Sequence, residues 1–184
     1  MTDPRNELGF DSTRPEQPDK SNSLDLQPQL KTCGQAFLHN IPAELRARPQ
    51  WVRRDERKRP LNARTGALAS VTDPTTWASF EIAAASPFGI GSGFVFTRDD
   101  QFFGIDLDVP PDSMPSEAQQ KIYSAFKNGS YSEYSPSGRG IHIIGRCDKS
   151  KLPTVKGIKR KEASGHAVEV YTQERYFTVT GNAI

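Results

Sequence analysis

Apolar and polar positions alternate most cleanly along Phe102-Phe103-Gly104-Ile105-Asp106-Leu107-Asp108. Side chains two residues apart on a strand share a face, so this pattern predicts a β-strand with Ile105 and Leu107 in the core and Asp106 and Asp108 projecting together. Shorter runs predict a strand starting at Trp51-Val52, a glycine-containing strand from Ile90 to Phe96, and strands over Gly140 to Gly145, Ala167 to Tyr171 and Tyr176 to Thr180. Arg98-Asp99-Asp100-Gln101 reads as a hairpin turn into the aspartate strand. A short amphipathic piece spans Phe37 to Leu45. Asp73 as N-cap and Pro74 in the first helical position open a helix that runs through Ala85, burying Trp77, Phe80, Ile82 and Ala84 and ending before Pro87. Ser116 to Phe126 reads as another helix, apolar at Ile122, Tyr123 and Phe126. The pattern is α+β, a mostly antiparallel sheet flanked by helices, with no internal repeat.

Residues 1–30 break from this regularity, being rich in Asp, Glu, Asn, Gln, Ser and Pro. Such a segment buries too little apolar surface to offset its ordering entropy, so a disordered tail is expected ahead of one domain over residues 31–184. That tail lowers the hydrophobic fraction, 35% over the whole chain, and adds to the 14 prolines among 184 residues. The net charge of +2 excludes a global polycation, so any nucleic-acid face must come from local clusters. One cluster comprises Arg46, Arg48, Arg53, Arg54, Arg57, Lys58, Arg59 and Arg64 around Trp51; a second comprises Lys149, Lys151, Lys156, Lys159, Arg160 and Lys161. Phosphate-backbone contact is the natural use of such patches. Cys33 and Cys147 stand in no metal-binding spacing and read as reduced thiols. No apolar run has transmembrane length and no signal peptide is evident, so a soluble cytoplasmic protein with no membrane partner is expected.

Three further features bear chemistry. Two carboxylates on one strand face repel unless a cation lies between them, and a hard divalent metal is the usual answer, although a half-exposed strand shows the same alternation. Ser135-Pro136-Ser137-Gly138-Arg139-Gly140 is a turn entering a strand, of the kind that directs backbone N–H groups at phosphate. Ser137 adds a hydroxyl, Arg139 a charge, and His142 a ring on the face opposite Ile141 and Ile143; a tight turn with a buried histidine is the plainer alternative. Glu169, between Val168 and Val170, becomes a third carboxylate if its strand pairs beside the aspartates. Three carboxylates with water and substrate oxygens suit Mg²⁺ or Mn²⁺.

The order Asp106, Asp108, then Gly140-Ile141-His142, then Glu169 resembles the three motifs of archaeo-eukaryotic-type primases, most closely the primase-polymerase domain of phage and plasmid replication proteins. Trp51, Lys58-Arg59-Pro60, Thr65-Gly66, Asp73-Pro74-Thr75-Thr76-Trp77, Ser135 through His142 and Arg175 through Gly181 match further motifs of that domain in order. The resemblance implies a primase-polymerase core and template-directed nucleotidyl transfer by two metal ions on Asp106, Asp108 and Glu169. It assigns His142, Ser137, Gly138 and Gly140 to the phosphates of an incoming dNTP or NTP, with Arg139 and Lys58 as charge partners and Tyr176 against the sugar or base. It implies a single-stranded DNA template and primer in a bacterial host cell, and a helicase or helical accessory domain beyond or outside this chain. A metal-dependent nuclease and a non-catalytic nucleic-acid- or nucleotide-binding module of the same fold are the competing readings; His142 lacks the H-x-H of strand-nicking relaxases.

Overall fold

The computed structural model describes residues 37–151 and 157–184. The expected tail, Cys33 and Lys156 lie outside the described residues. After a one-turn 3-10 helix at Leu38–Asn40, the chain forms α1 (Ala43–Arg46), β1 (Trp51–Arg54), β2 (Pro60–Leu61), a second 3-10 turn (Pro74–Thr76), α2 (Phe80–Ala85), β3 (Gly91–Phe96) and β4 (Phe102–Asp108). It continues through α3 (Glu117–Phe126), β5 (Tyr131–Tyr134), β6 (Ile141–Arg146), a third 3-10 turn (Lys149–Lys151), β7 (Gly157–Lys161), β8 (Ala167–Tyr171) and β9 (Arg175–Val179). The expected α+β class holds, but the strands divide into two sheets, β2-β1-β3-β9 and β5-β6-β4-β8-β7, in which every neighbouring pair is antiparallel.

The sheets pack face to face through aromatic side chains, whose edge-to-face contacts favour the arrangement beyond simple burial. Phe94 of β3 meets Trp51 at 5.4 Å and Phe102 of β4 at 5.7 Å, and Trp51 meets Phe80 at 5.0 Å. The close approach needs Gly104, where an added Cβ would lie 2.8 Å from the Phe96 ring. The other face of β4 carries Phe103, Ile105 and Leu107 against Ile122 and Tyr123 of α3. Ser116 and Gln119 form a capping box that starts α3, and the buried Gln119 amide donates to the carbonyls of Asp108 and Ala167. One side chain thus pins the helix to the strand ends that carry the aspartates.

Two expected elements differ. Asp73 caps only the single turn Pro74–Thr76, and Ser79 caps α2 separately. Between them the chain must extend, because Ala78 exchanges backbone hydrogen bonds with Trp51 and the Trp77 indole N–H donates to the Ser70 carbonyl. Ile82 is consequently exposed rather than buried. The expected hairpin at Arg98 to Gln101 is a crossing between sheets: Asp100 is buried and accepts from Thr97 N, Phe102 N, Gln50 Nε2 and Lys149 Nζ, which turns the chain out of the first sheet into the second. Strands β2, β5 and β7 have no counterpart in the hydrophobic pattern; all five residues of β7 are exposed.

Candidate active site

Strand register builds the site. In the five-stranded sheet Glu133 of β5 stands opposite His142 of β6, His142 opposite Asp106 of β4, Asp106 opposite Glu169 of β8, and Glu169 opposite Lys159 of β7. Directly opposed residues on neighbouring strands point to the same side, so these form one transverse row on the side of the first sheet. The condition set for Glu169, a strand beside the aspartates, is met. Two residues along β4, Asp108 is exposed at the rim, with Ala167 opposite it and Lys161 opposite Ala167.

Along the row, His142 Nδ1 lies 3.2 Å from Glu133 Oε1, and Nε2 lies 3.7 Å from Asp106 Oδ1. The imidazole rests on Phe177 of β9 with 4.2 Å between ring centroids. Glu133 is fully buried and accepts from Thr180 N at 2.9 Å, Gly181 N at 2.8 Å and the Tyr131 hydroxyl at 2.8 Å. Glu133 therefore fixes the histidine ring and ties the end of β9 to the second sheet. On the other side, Glu169 takes the Lys159 ammonium on Oε1 and the Tyr171 hydroxyl on Oε2.

Burial pushes the Asp106 carboxyl up to about 6; the His142 ring opposes this, Asp108 and Glu169 add to it, and Lys58 lowers it slightly. Burial also raises Glu169, but the hydrogen bonds from Lys159 and Tyr171 outweigh it and hold that carboxyl below its ordinary value. Asp106 Oδ1 is buried without a hydrogen-bond partner. A buried carboxylate oxygen with no hydrogen-bond donor, on a strand that also carries Asp108 and opposite Glu169, suits a cation, and the carboxylate donor set fits a hard divalent metal that keeps water and substrate oxygens as its other ligands. Among the described residues, no three His, Cys, Asp or Glu side chains already converge as a metal cage. Glu169 is held on its lysine.

The Ser135–Gly140 turn sits beside the row. Gly138 N donates to Ser135 O at 2.8 Å and Gly140 N to Ser135 Oγ at 3.2 Å, so these amides serve the turn itself rather than an open nest. Ser137 and Arg139 remain exposed, and Gly138 adopts φ +73, which favours glycine. A Cβ on Gly140 would lie 2.7 Å from the Leu107 carbonyl oxygen. Gly140→Ala is thus expected to pry β6 from β4 and lose about 1–3 kcal/mol of stability, read from the urea midpoint. Lys58 occupies the turn after β1 with φ 59. Tyr176 is not brought to the acids: alternation along β9 sends Phe177 toward them and Tyr176 to the far face, against Val52, Trp77 and Val95, its hydroxyl donating to the Lys58 carbonyl.

A DNA primase-polymerase of Nitratiruptor phage NrS-1 is 37% identical to this chain over 137 residues, 71% of the chain. Over that stretch the chain is similar to a primase-polymerase. It spans 18% of the length of that phage protein. No protein-family model matches it. The α+β architecture with two antiparallel sheets is compatible with a primase-polymerase core.

Much of the basic residue set in this chain is structural. Arg53 donates to the Phe88 carbonyl at 2.8 Å, Arg64 to the Trp77 carbonyl at 2.7 Å, Arg59 pairs with Asp55, and Lys149 pairs with the buried Asp100. Arg160 and Lys161 remain exposed on β7. Glu133 and Tyr171 are parts of the site that sequence reasoning misses, and Lys159, grouped by sequence with the phosphate-contact cluster, pairs with Glu169. Glu133 has one usable signal: it precedes His142 by nine residues across a Ser/Gly turn, which a short hairpin converts into opposition.

Proposed function

We propose that this domain catalyses template-directed nucleotidyl transfer, adding nucleotides from dNTP or NTP to a 3′-hydroxyl on a single-stranded DNA template. The observation that carries the reading is the row His142–Asp106–Glu169 with Asp108 at its rim and an unpaired buried oxygen on Asp106. Asp106, Asp108 and Glu169 would hold two Mg²⁺ or Mn²⁺ ions, which when bound lower the pKa of the attacking hydroxyl and neutralise charge on the triphosphate and leaving pyrophosphate. Glu133, as acceptor, takes the Nδ1–H of His142 and directs Nε2 to the side of Asp106, where the doubly protonated ring would donate Nε2–H to a phosphate oxygen. The ring cannot swing away, being clamped between Glu133 and the face of Phe177. Ser137 and Arg139, exposed beside the row, contact the triphosphate, and Arg160 and Lys161 track the template phosphates. Lys58 adds positive charge near Asp106. A phage or plasmid replication setting and a helicase or helical accessory partner complete the reading.

The test is a labelled primer annealed to a longer template, incubated with the protein, each dNTP or NTP, and Mg²⁺ or Mn²⁺. Template-dependent lengthening is the expected result. Shortening would make the same acids a nuclease centre, and retention without product would make the domain a binding module.

A further inference from the structure

We propose that Lys159 is a resident counter-cation of the acid row, competing with the divalent ion for Glu169 and giving way when the ion binds. The proposal rests on the metal-binding role assigned above to Asp106, Asp108 and Glu169. Register places Lys159 directly opposite Glu169, on the acid-row side of an edge strand. Its ammonium takes Oε1, while Oε2 is taken by Tyr171. The two partners differ in freedom. Tyr171 is half-buried, with its ring 5.7 Å from Phe177. The Lys159 side chain is 60% exposed, against 16% for Glu169, so it can withdraw into water without opening the core. Oε1 is therefore the oxygen that can be released.

Charge gives the pairing its purpose. Asp106, Asp108 and Glu169 repel one another, and the latter two make Asp106 harder to ionise. In the metal-free protein the Lys159 ammonium offsets that repulsion from one end. An ion pair this exposed is weak, whereas a divalent ion among several carboxylates is held by twice the charge, so the exchange runs toward metal. Lys161 provides an internal contrast: it lies two residues along on the same face of β7, but its cross-strand neighbour is Ala167. A charge on that face is thus available both with and without a carboxylate partner.

The experiment titrates Mn²⁺ alone into wild type, Lys159→Met, Lys161→Met and Asp106→Asn at constant ionic strength, following free Mn²⁺ by electron paramagnetic resonance. Lys159→Met is expected to bind Mn²⁺ about fivefold more tightly than wild type, with Lys161→Met within about twofold, since only the first removes a direct competitor rather than a nearby charge. Thermal unfolding of both variants checks that the exposed substitutions leave the fold intact. Binding that depends on Asp106 but is no tighter in Lys159→Met than in Lys161→Met overturns this proposal alone. Binding that is unaffected by Asp106→Asn overturns the metal site and this proposal with it.

Discussion

Asp106→Asn is expected to stabilise the metal-free protein at pH 7 by up to about 3 kcal/mol while removing nucleotide addition. Burial raises the Asp106 carboxyl from an ordinary value near 3.8 to about 6, so its charged form is disfavoured in the folded state. Each tenfold gain in proton affinity on folding corresponds to about 1.4 kcal/mol, and the folded protein binds this proton more tightly than the unfolded chain. The cost is therefore absent below about pH 4, grows between about 4 and 6, and is complete above that. Asn keeps the shape and removes the charge. Thermal unfolding across pH 4 to 7 should show the variant gaining on wild type as pH rises. Saturating Mn²⁺ should then raise the wild-type midpoint and leave the variant unchanged. A variant less stable than wild type at pH 7 would mean that Asp106 is held by the fold rather than strained by it.

Replacing Glu133 is expected to have the opposite sign and a larger size. Glu133→Ala removes the acceptor for Thr180 N, Gly181 N, the Tyr131 hydroxyl and His142 Nδ1 at a fully buried position. Leaving several donors unpaired in the core costs about 3–5 kcal/mol, because none can turn to water. Glu133→Gln should recover only part of that, since its amide N–H₂ meets donors where the carboxylate met them with a second acceptor. The urea midpoint at pH 7 measures both. Loss below about 1 kcal/mol would show that water replaces the carboxylate and that the site is wetter than its burial indicates.

The contrast between these two acids explains what can be read from the chain alone. Asp106 and Asp108 are legible because a β-strand converts spacing into direction without help from the rest of the fold. Glu169 is legible as a candidate only, since its place depends on β8 pairing with β4, a long-range choice that no local pattern encodes. Glu133 and Lys159 complete the row by the same kind of pairing, but they sit on β5 and β7, where polar residues hide the strand period. The helix expected from Asp73 fails for a related reason: its cap is real, but a tertiary bridge from Ala78 to Trp51 ends it after one turn. Tyr176 shows the limit from the other side. Its neighbour Phe177 faces the histidine, and one residue of offset sends the tyrosine to the opposite face.

Asp108 offers the most direct test of the central claim, because it is exposed at the rim and its removal leaves the core untouched. The measurement is single-turnover addition of one complementary nucleotide to a labelled primer-template, with Mg²⁺ or Mn²⁺, by wild type and by Asp108→Asn. Wild type is predicted to add the nucleotide only with the metal, and Asp108→Asn to be slower by about a thousandfold or more, with primer-template affinity and its salt dependence preserved. Addition by Asp108→Asn at the wild-type rate would contradict the assignment of this acid row as the centre of nucleotidyl transfer.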